Sequence, residues 1–307
     1  PSPPQTSLPE AKPPSKFRQR VFPGVCDKPT FKQFVKRNWL DIATQLMCTL
    51  AGFLIYRFGE PLMTRRFPVF PDMYRTPFGI RYGKPWRKEY IGTLASAGVS
   101  FGLPAVVMAA LGLWMVRSFQ DTHAAIMGLG YALSTTTLFQ ALLKWIVGGL
   151  RPYFLDVCAP RMVQPNATRP AELWKTVDVC TGSRKEVREA QMSFPSGHSA
   201  AAFAGFGFLA LYMNAKFGIF AAPRQRHRGP NVAENSDVDE EESPAQQQQS
   251  RRAPHWQLGL FVTPLLLAFI IAASKIRDGW HHPEDVIRGA LIGSAFAFMA
   301  FRMVYQS

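Results

Sequence analysis

IGTLASAGVSFGLPAVVMAALGLWMV, residues 91–116, holds no charged side chain in 26 positions. A helix needs about 20 mostly apolar residues to cross some 30 Å of hydrocarbon, so this stretch reads as a membrane span and decides the fold class. Gly98 and Gly102 within it stand at the four-residue spacing that lets helices approach closely. Working outward, five further runs have the same character: residues 39–56, 122–149, 199 to about 215, 256–274 and 286–305. The first is the weakest, being short and carrying Asp41 and Gln45, although Trp39 and Tyr56 suit interfacial ends. The fifth of the six contains Pro264, and the last contains Gly289 and Gly293. The chain therefore reads as all-α, a six-transmembrane helical bundle over residues 39–306. Buried helices of a soluble protein are also apolar all round, but several uncharged runs of spanning length argue against that reading.

Composition agrees. Hydrophobic residues make up 47% and charged residues 18% of the 307, against roughly 25% charged in an average soluble domain. A mean hydropathy of -0.04 conceals segregation of apolar runs from polar ones. The formal charge of +14 suits anionic lipid or phosphate-bearing partners. Nucleic acid is not expected as a partner, because most basic residues sit beside spans. Four cysteines without a Cys-x-x-Cys pair exclude a disulfide-dense scaffold and a zinc ribbon.

The polar segments differ in kind. Residues 1–38 form a basic, Pro-rich tail without the apolar core of a secretory signal, so the first span is expected to act as an uncleaved anchor. Residues 57–90 mix eight basic residues with Pro and aromatics and read as an ordered loop. Residues 151–198 hold Cys158, Cys180 and the sequon Asn166-Ala167-Thr168. Residues 223–254 carry an acidic cluster and a Gln run and read as a disordered insert, a docking segment for cytosolic partners rather than a place for chemistry.

Each span reverses the chain, so the end of the third, the start of the fourth and the junction between the fifth and sixth share one membrane face. Three unusual polar clusters lie there. Lys144 and Arg151 are seven residues apart, two helical turns, so both would face one anion, with Pro152 ending the helix; the bland reading is that both snorkel to the interface. Pro195-Ser196-Gly197-His198 precedes an apolar helix, where free N–H groups and the helix dipole collect anions; an ordinary cap with an incidental His is the alternative. His281 and Asp285 are four apart, with Pro283 suited to open the last helix, so the carboxylate would accept the imidazole N–H. A zinc site at His281, His282 and Glu284 competes weakly, since adjacent histidines point apart on a helix and no Cys joins them.

Lysine, six residues, Arg-Pro; Pro-Ser-Gly-His; then Ser, a basic residue, five residues, His, three residues, Asp: this order resembles the type 2 phosphatidic acid phosphatase superfamily, and within it the membrane lipid phosphate phosphatases, including fungal diacylglycerol pyrophosphate and phosphatidate phosphatases. The likeness extends from the first span to the sixth. One departure stands out, because the family has Arg directly after the third-motif Ser, whereas this chain has Ser274-Lys275, with Arg277 two positions on. Lys keeps the charge but loses the planar fork. Either Arg277 substitutes, or Lys275 serves with weaker phosphate binding, or the protein is a catalytically weak member.

The resemblance implies an active site at one membrane face and metal-independent hydrolysis through a phosphohistidine. His281 would attack phosphorus, held by Asp285. His198 would protonate the leaving alkoxide and then activate water. Lys144, Arg151, Ser196, Gly197, Lys275 and Arg277 would bind the phosphate. No cofactor is implied. Phosphatidate, lysophosphatidate and diacylglycerol pyrophosphate are the leading substrates; polyprenyl diphosphates and an inactive lipid-binding scaffold are the alternatives, and a transporter would leave the His motifs without a linked role. An endomembrane or plasma-membrane location with the site facing lumen or exterior is expected, since Cys158 and Cys180 share the site-side loop with Asn166. Positive-inside counting does not separate the two faces.

Overall fold

A computed structural model describes residues 31–162, 173–220 and 255–305. Asn166, the 223–254 insert and the first thirty residues lie outside the described residues. Among the described residues, six helices are long and apolar enough to cross a membrane. They are α1 (Phe31–Phe58), α3 (Thr93–Ala110, continued as a π-helix over Leu111–Val116), α4 (Phe119–Ile146), α7 (Gly197–Phe217), α8 (His255–Arg277) and α9 (Pro283–Tyr305). The short helices α2 (Pro77–Tyr82), α5 (Phe154–Cys158) and α6 (Arg184–Ala190) and the two-residue strands β1 (Phe67–Pro68) and β2 (Trp174–Lys175) lie in the connections. The protein is an integral, multi-pass, all-α membrane protein.

Helix α1 begins at Phe31, ahead of the expected start at Trp39, and its first turns carry the exposed Lys32, Lys36 and Arg37. Hydropathy finds only the apolar part of a helix, whereas backbone hydrogen bonding continues through polar turns outside the hydrocarbon. The two polar residues that weakened this span are satisfied against α4: Tyr131 donates to Asp41 Oδ1 at 3.2 Å, and Gln45 Nε2 donates to the Met127 carbonyl at 3.1 Å.

Helix α7 is the most buried of the six and packs against α3, α4, α8 and α9, while α1 lies outside against α4. The outward faces present Leu94, Val106, Phe269, Ile270, Leu291 and Met299, exposed large apolar side chains that lipid would cover. With lipid as apolar as the core, close approach of backbones becomes the packing term that matters. Gly98 and Gly102 do not supply it, since a Cβ at either would meet nothing within 4 Å. The contact between α3 and α7 is made at Gly205, where a Cβ would lie 2.0 Å from the Ser100 carbonyl oxygen. Gly289 and Gly293 do seat α9 on α7, with virtual Cβ atoms 2.5 Å from Ser196 O and 2.2 Å from Ala200 O. At the end of the bundle away from Pro195–His198, Asp121 accepts from Tyr212 at 2.9 Å and pairs with Lys216, tying α4 to α7.

At the other end the connections form a second core of Phe67, Val69, Met73, Phe154, Leu155, Val187 and Trp280. A disulfide joins Cys158 to Cys180. Strand β1 pairs antiparallel with β2, so the 57–90 connection is bound to the one between α4 and α7.

Candidate active site

Helix α4 stops at Ile146, and Gly148 takes a left-handed conformation, φ 56°, that an L side chain rarely adopts. The chain then runs beside residues 190–193: Gly149 N donates to Gln191 O at 2.7 Å, Arg151 N to Ala190 O at 2.8 Å, and Ser193 N to Gly149 O at 2.9 Å. This ladder positions Arg151. The expectation that two helical turns align it with Lys144 is thus corrected, because α4 has ended before Arg151 is reached. Lys144 does not snorkel either, since it is buried and its Nζ donates to the Met192 carbonyl at 2.9 Å.

The Arg151 guanidinium lies over Trp280, 4.7 Å from the ring centroid, and 5.8 Å from that of Tyr153, with Nη2 3.6 Å from Glu189 Oε1. Aromatic faces fix a planar cation without consuming its hydrogen bonds. Its Nε and Nη1 are buried and have no hydrogen-bond partner among the described residues.

Ser196 is the N-cap of α7, and its backbone N donates to the Asp285 carbonyl at 3.1 Å, locking the start of α7 to the first turn of α9. Its side chain makes no capping bond, so Ser196 Oγ is another buried group without a hydrogen-bond partner among the described residues. Within the first turn lies His198, buried, whose Nε2 makes no hydrogen bond among the described residues. Buried polar groups are nearly always paired, so several orphans in one cluster mark a place shaped for a polar ligand.

Lys275 occupies the last turn of α8 and is fully buried, with Nζ 2.6 Å from Ile91 O, 3.4 Å from Glu89 Oε1 and 3.5 Å from Asp278 Oδ2. Arg277 points elsewhere: it is exposed, its guanidinium 5.5 Å from the Tyr90 ring centroid. Of the two candidates for the missing arginine, the structure brings Lys275 into the cluster and leaves Arg277 out, because positions two apart on a helix face different sides.

His281 is buried in the turn between α8 and α9, where Gly279 reverses the chain with φ 75°. Its Nδ1 is 3.9 Å from Asp285 Oδ2, too long for the direct hydrogen bond that the four-residue spacing led one to expect. Ser193 fills the gap: its Oγ donates to Asp285 Oδ2 at 2.6 Å and lies 3.4 Å from His281 Nδ1. Burial holds the proton affinity of His281 well below the ordinary 6.5, an effect that Arg151 and Lys144 deepen and Asp285 opposes. Lys275, Arg151 and Lys144 also act electrostatically on His198. Lys144, Arg151, Ser196, Gly197, His198, Lys275, His281 and Asp285 therefore belong to one buried cluster, electropositive through its cations.

Three members of this neighbourhood carry no signal in the sequence: Ser193, Glu89 and Trp280. A lone Ser, a single acid in a basic connection and one aromatic gain meaning only through what they touch.

Comparison with known proteins places the cluster in a family. The PAP2 superfamily model matches residues 125–307, which include every member of the cluster but not the neighbouring Glu89. Lipid phosphate phosphatase 2 of Arabidopsis thaliana is 31% identical over 59% of this chain and 52% of its own length. A PA-phosphatase related-family protein of Dictyostelium discoideum is 32% identical over 95% of this chain and 72% of its own length. Probable diacylglycerol pyrophosphate phosphatase 1 of Schizosaccharomyces pombe is 28% identical over 86% and 80%. The matched region spans about half the length of the Arabidopsis relative. No solved structure matches. With the family model covering more than half of its length and the cluster lying on the motifs that carry the likeness, the chain belongs to the PAP2 superfamily.

Proposed function

We propose that the protein is a lipid phosphate phosphatase, hydrolysing phosphomonoesters and diphosphates of membrane lipids through a phosphohistidine. The observation that carries this reading is the set of buried polar atoms that make no hydrogen bond among the described residues, Arg151 Nε and Nη1, Ser196 Oγ and His198 Nε2, grouped with Lys144 and Lys275. A tetrahedral dianion would satisfy them together. The same cations would stabilise charge on the equatorial oxygens as phosphorus becomes five-coordinate.

In this reading His281 attacks through Nε2, because Nδ1 faces Ser193 and Asp285. Burial keeps the imidazole neutral and hence nucleophilic. The bond from phosphorus to the lipid oxygen breaks as the N–P bond forms, and His198 gives its proton to the departing alkoxide. His198 then takes a proton from water, whose oxygen attacks phosphorus and frees His281. The names of the relatives support lipid phosphates as the substrate class, and a site at the end of the bundle suits a headgroup that stays wet while its acyl chains remain in the bilayer. Phosphatidate, lysophosphatidate and diacylglycerol pyrophosphate are the substrates proposed. The disulfide between Cys158 and Cys180, in the connection that holds the site, favours a lumenal or exterior site.

The test is phosphate release from phosphatidate by the full chain in detergent with EDTA present, for wild type, His281→Ala and His198→Ala. We expect robust wild-type turnover, inhibition by vanadate, and losses above about a hundredfold in each variant. Full activity in His281→Ala would remove the nucleophile, and an inert wild type would favour the scaffold reading.

A further inference from the structure

The mechanism leaves one partly buried acid without a task. Glu89 stands on the connection before α3, 14% exposed, with Oε1 3.4 Å from Lys275 Nζ and 3.6 Å from His198 Nε2. Its backbone is tied down along its length. Lys84 N donates to Pro152 O at 2.9 Å, Trp86 N to Asp156 Oδ2 at 2.8 Å, Trp280 Nε1 to Arg87 O at 2.7 Å, and Tyr90 N to Asp278 Oδ2 at 2.9 Å. The carboxylate is held at the cluster by the fold and does not arrive there on a free tether. A carboxylate inside a phosphate site opposes the binding of any anion, so its place within the site decides what it does.

That place follows from the displacement. Attack by His281 expels the leaving oxygen on the opposite side of phosphorus, where His198 Nε2 must stand to protonate it. Glu89 Oε1 is beside that nitrogen. For a phosphomonoester the P–O bond breaks, its electron pair goes to the lipid oxygen, and the proton from His198 makes a neutral alcohol. For a diphosphate the leaving group is a phosphate that departs with its charge. We infer that Glu89 is a specificity-determining residue that reads the charge of the leaving group, favouring lipid phosphomonoesters over lipid diphosphates. Charges a few ångströms apart in a buried site are poorly screened, and Lys275, shared with Ile91 and Asp278, offsets the carboxylate only in part. A neutral alcohol donates a hydrogen bond to Glu89, whereas an anion is repelled.

This inference rests on the phosphatase reading, and the experiment separates the two. The kcat/KM of the full chain would be measured on phosphatidate and on diacylglycerol pyrophosphate with the same acyl chains, in one mixed-micelle composition, for wild type, Glu89→Gln and Glu89→Asp. We expect the wild type to favour phosphatidate, Glu89→Gln to raise the diphosphate-to-monoester ratio by about tenfold, and Glu89→Asp to keep the wild-type ratio. The ratio is internal, so a variant that folds incompletely still reports it. A Glu89→Gln ratio within about twofold of wild type overturns the inference while leaving the phosphatase reading intact. A wild type that prefers the diphosphate overturns it without any variant. Wild-type turnover of neither lipid would sink the phosphatase reading and this inference together.

Discussion

Ser193 shows how much can hang on one hydroxyl. With His281 and Asp285 separated by 3.9 Å, the serine bonded to the carboxylate at 2.6 Å and 3.4 Å from His281 Nδ1 stands where the proposed mechanism would use it to relay the carboxylate's charge to the imidazole. Ser193→Ala should therefore lower kcat on phosphatidate by about tenfold or more with little change in KM, since it leaves the phosphate ligands untouched; an unchanged kcat would show that Asp285 acts on the ring without the relay. The pH dependence follows from the same residue. Because burial holds His281 well below its ordinary 6.5, the proposed nucleophile stays neutral as the medium acidifies, and the acid limb that it would contribute to kcat/KM should lie below pH 6.5. An acid limb at or above that pH, retained in Ser193→Ala, would argue against a buried neutral nucleophile. Linkage has the matching sign: an unfolded chain takes up this proton as pH falls through 6.5 while the folded one does not, so stability should decline on the acid side of that value. At Lys275 the missing fork is directly testable. Lys275→Arg should leave turnover equal or raised if that position grips phosphate, and a severe loss would show that the seat, with Ile91 O and Glu89 close by, is built for an ammonium.

Among the elements, α7 and α9 are the pair on which the site depends. Gly289 and Gly293 bring the first turns of both helices close enough for Ser196 N to reach Asp285 O at 3.1 Å. A side chain at either glycine must push the helices apart. Gly293→Val should cost about 1–3 kcal/mol in a membrane-protein melt and lower activity further than the loss of folded protein explains, whereas Gly98→Val and Gly102→Val, where a Cβ meets nothing within 4 Å, should melt like wild type. Equal effects at both pairs would refute the helix-seating account. The glycines of α3 and α9 share a spacing but not a role, because a motif does not say which face of a helix meets a neighbour.

For the whole molecule, the cap over the site is held by the Cys158–Cys180 disulfide and by the pairing of β1 with β2. Bridging a loop of this size is worth about 3 kcal/mol through the unfolded chain. Treatment with a reductant should lower the melting temperature and release two thiols to a maleimide probe, and Cys158→Ser with Cys180→Ser should lower the melting temperature without yielding those thiols. In sealed membranes those thiols should become reactive to an impermeant maleimide only from the lumenal or exterior side. Labelling from the cytosolic side would reverse the proposed orientation.

Spans and motif order were legible from the amino-acid sequence because both are local: an uncharged run longer than the bilayer is thick has few alternatives, and parity then assigns the polar clusters to one face. The boundary of α1 and the ladder that carries Arg151 were not, since polar turns hide helix and since Gly148 ends the periodicity on which spacing arguments rely. Nor did the chain by itself reveal Ser193 as the bridge, Lys275 rather than Arg277 as the inward cation, or Glu89 as the acid beside His198. Those are decided by contacts between segments 88 to 186 residues apart or by the side of a helix that faces inward, and only the packed bundle, in which every buried polar group must find or await a partner, determines them.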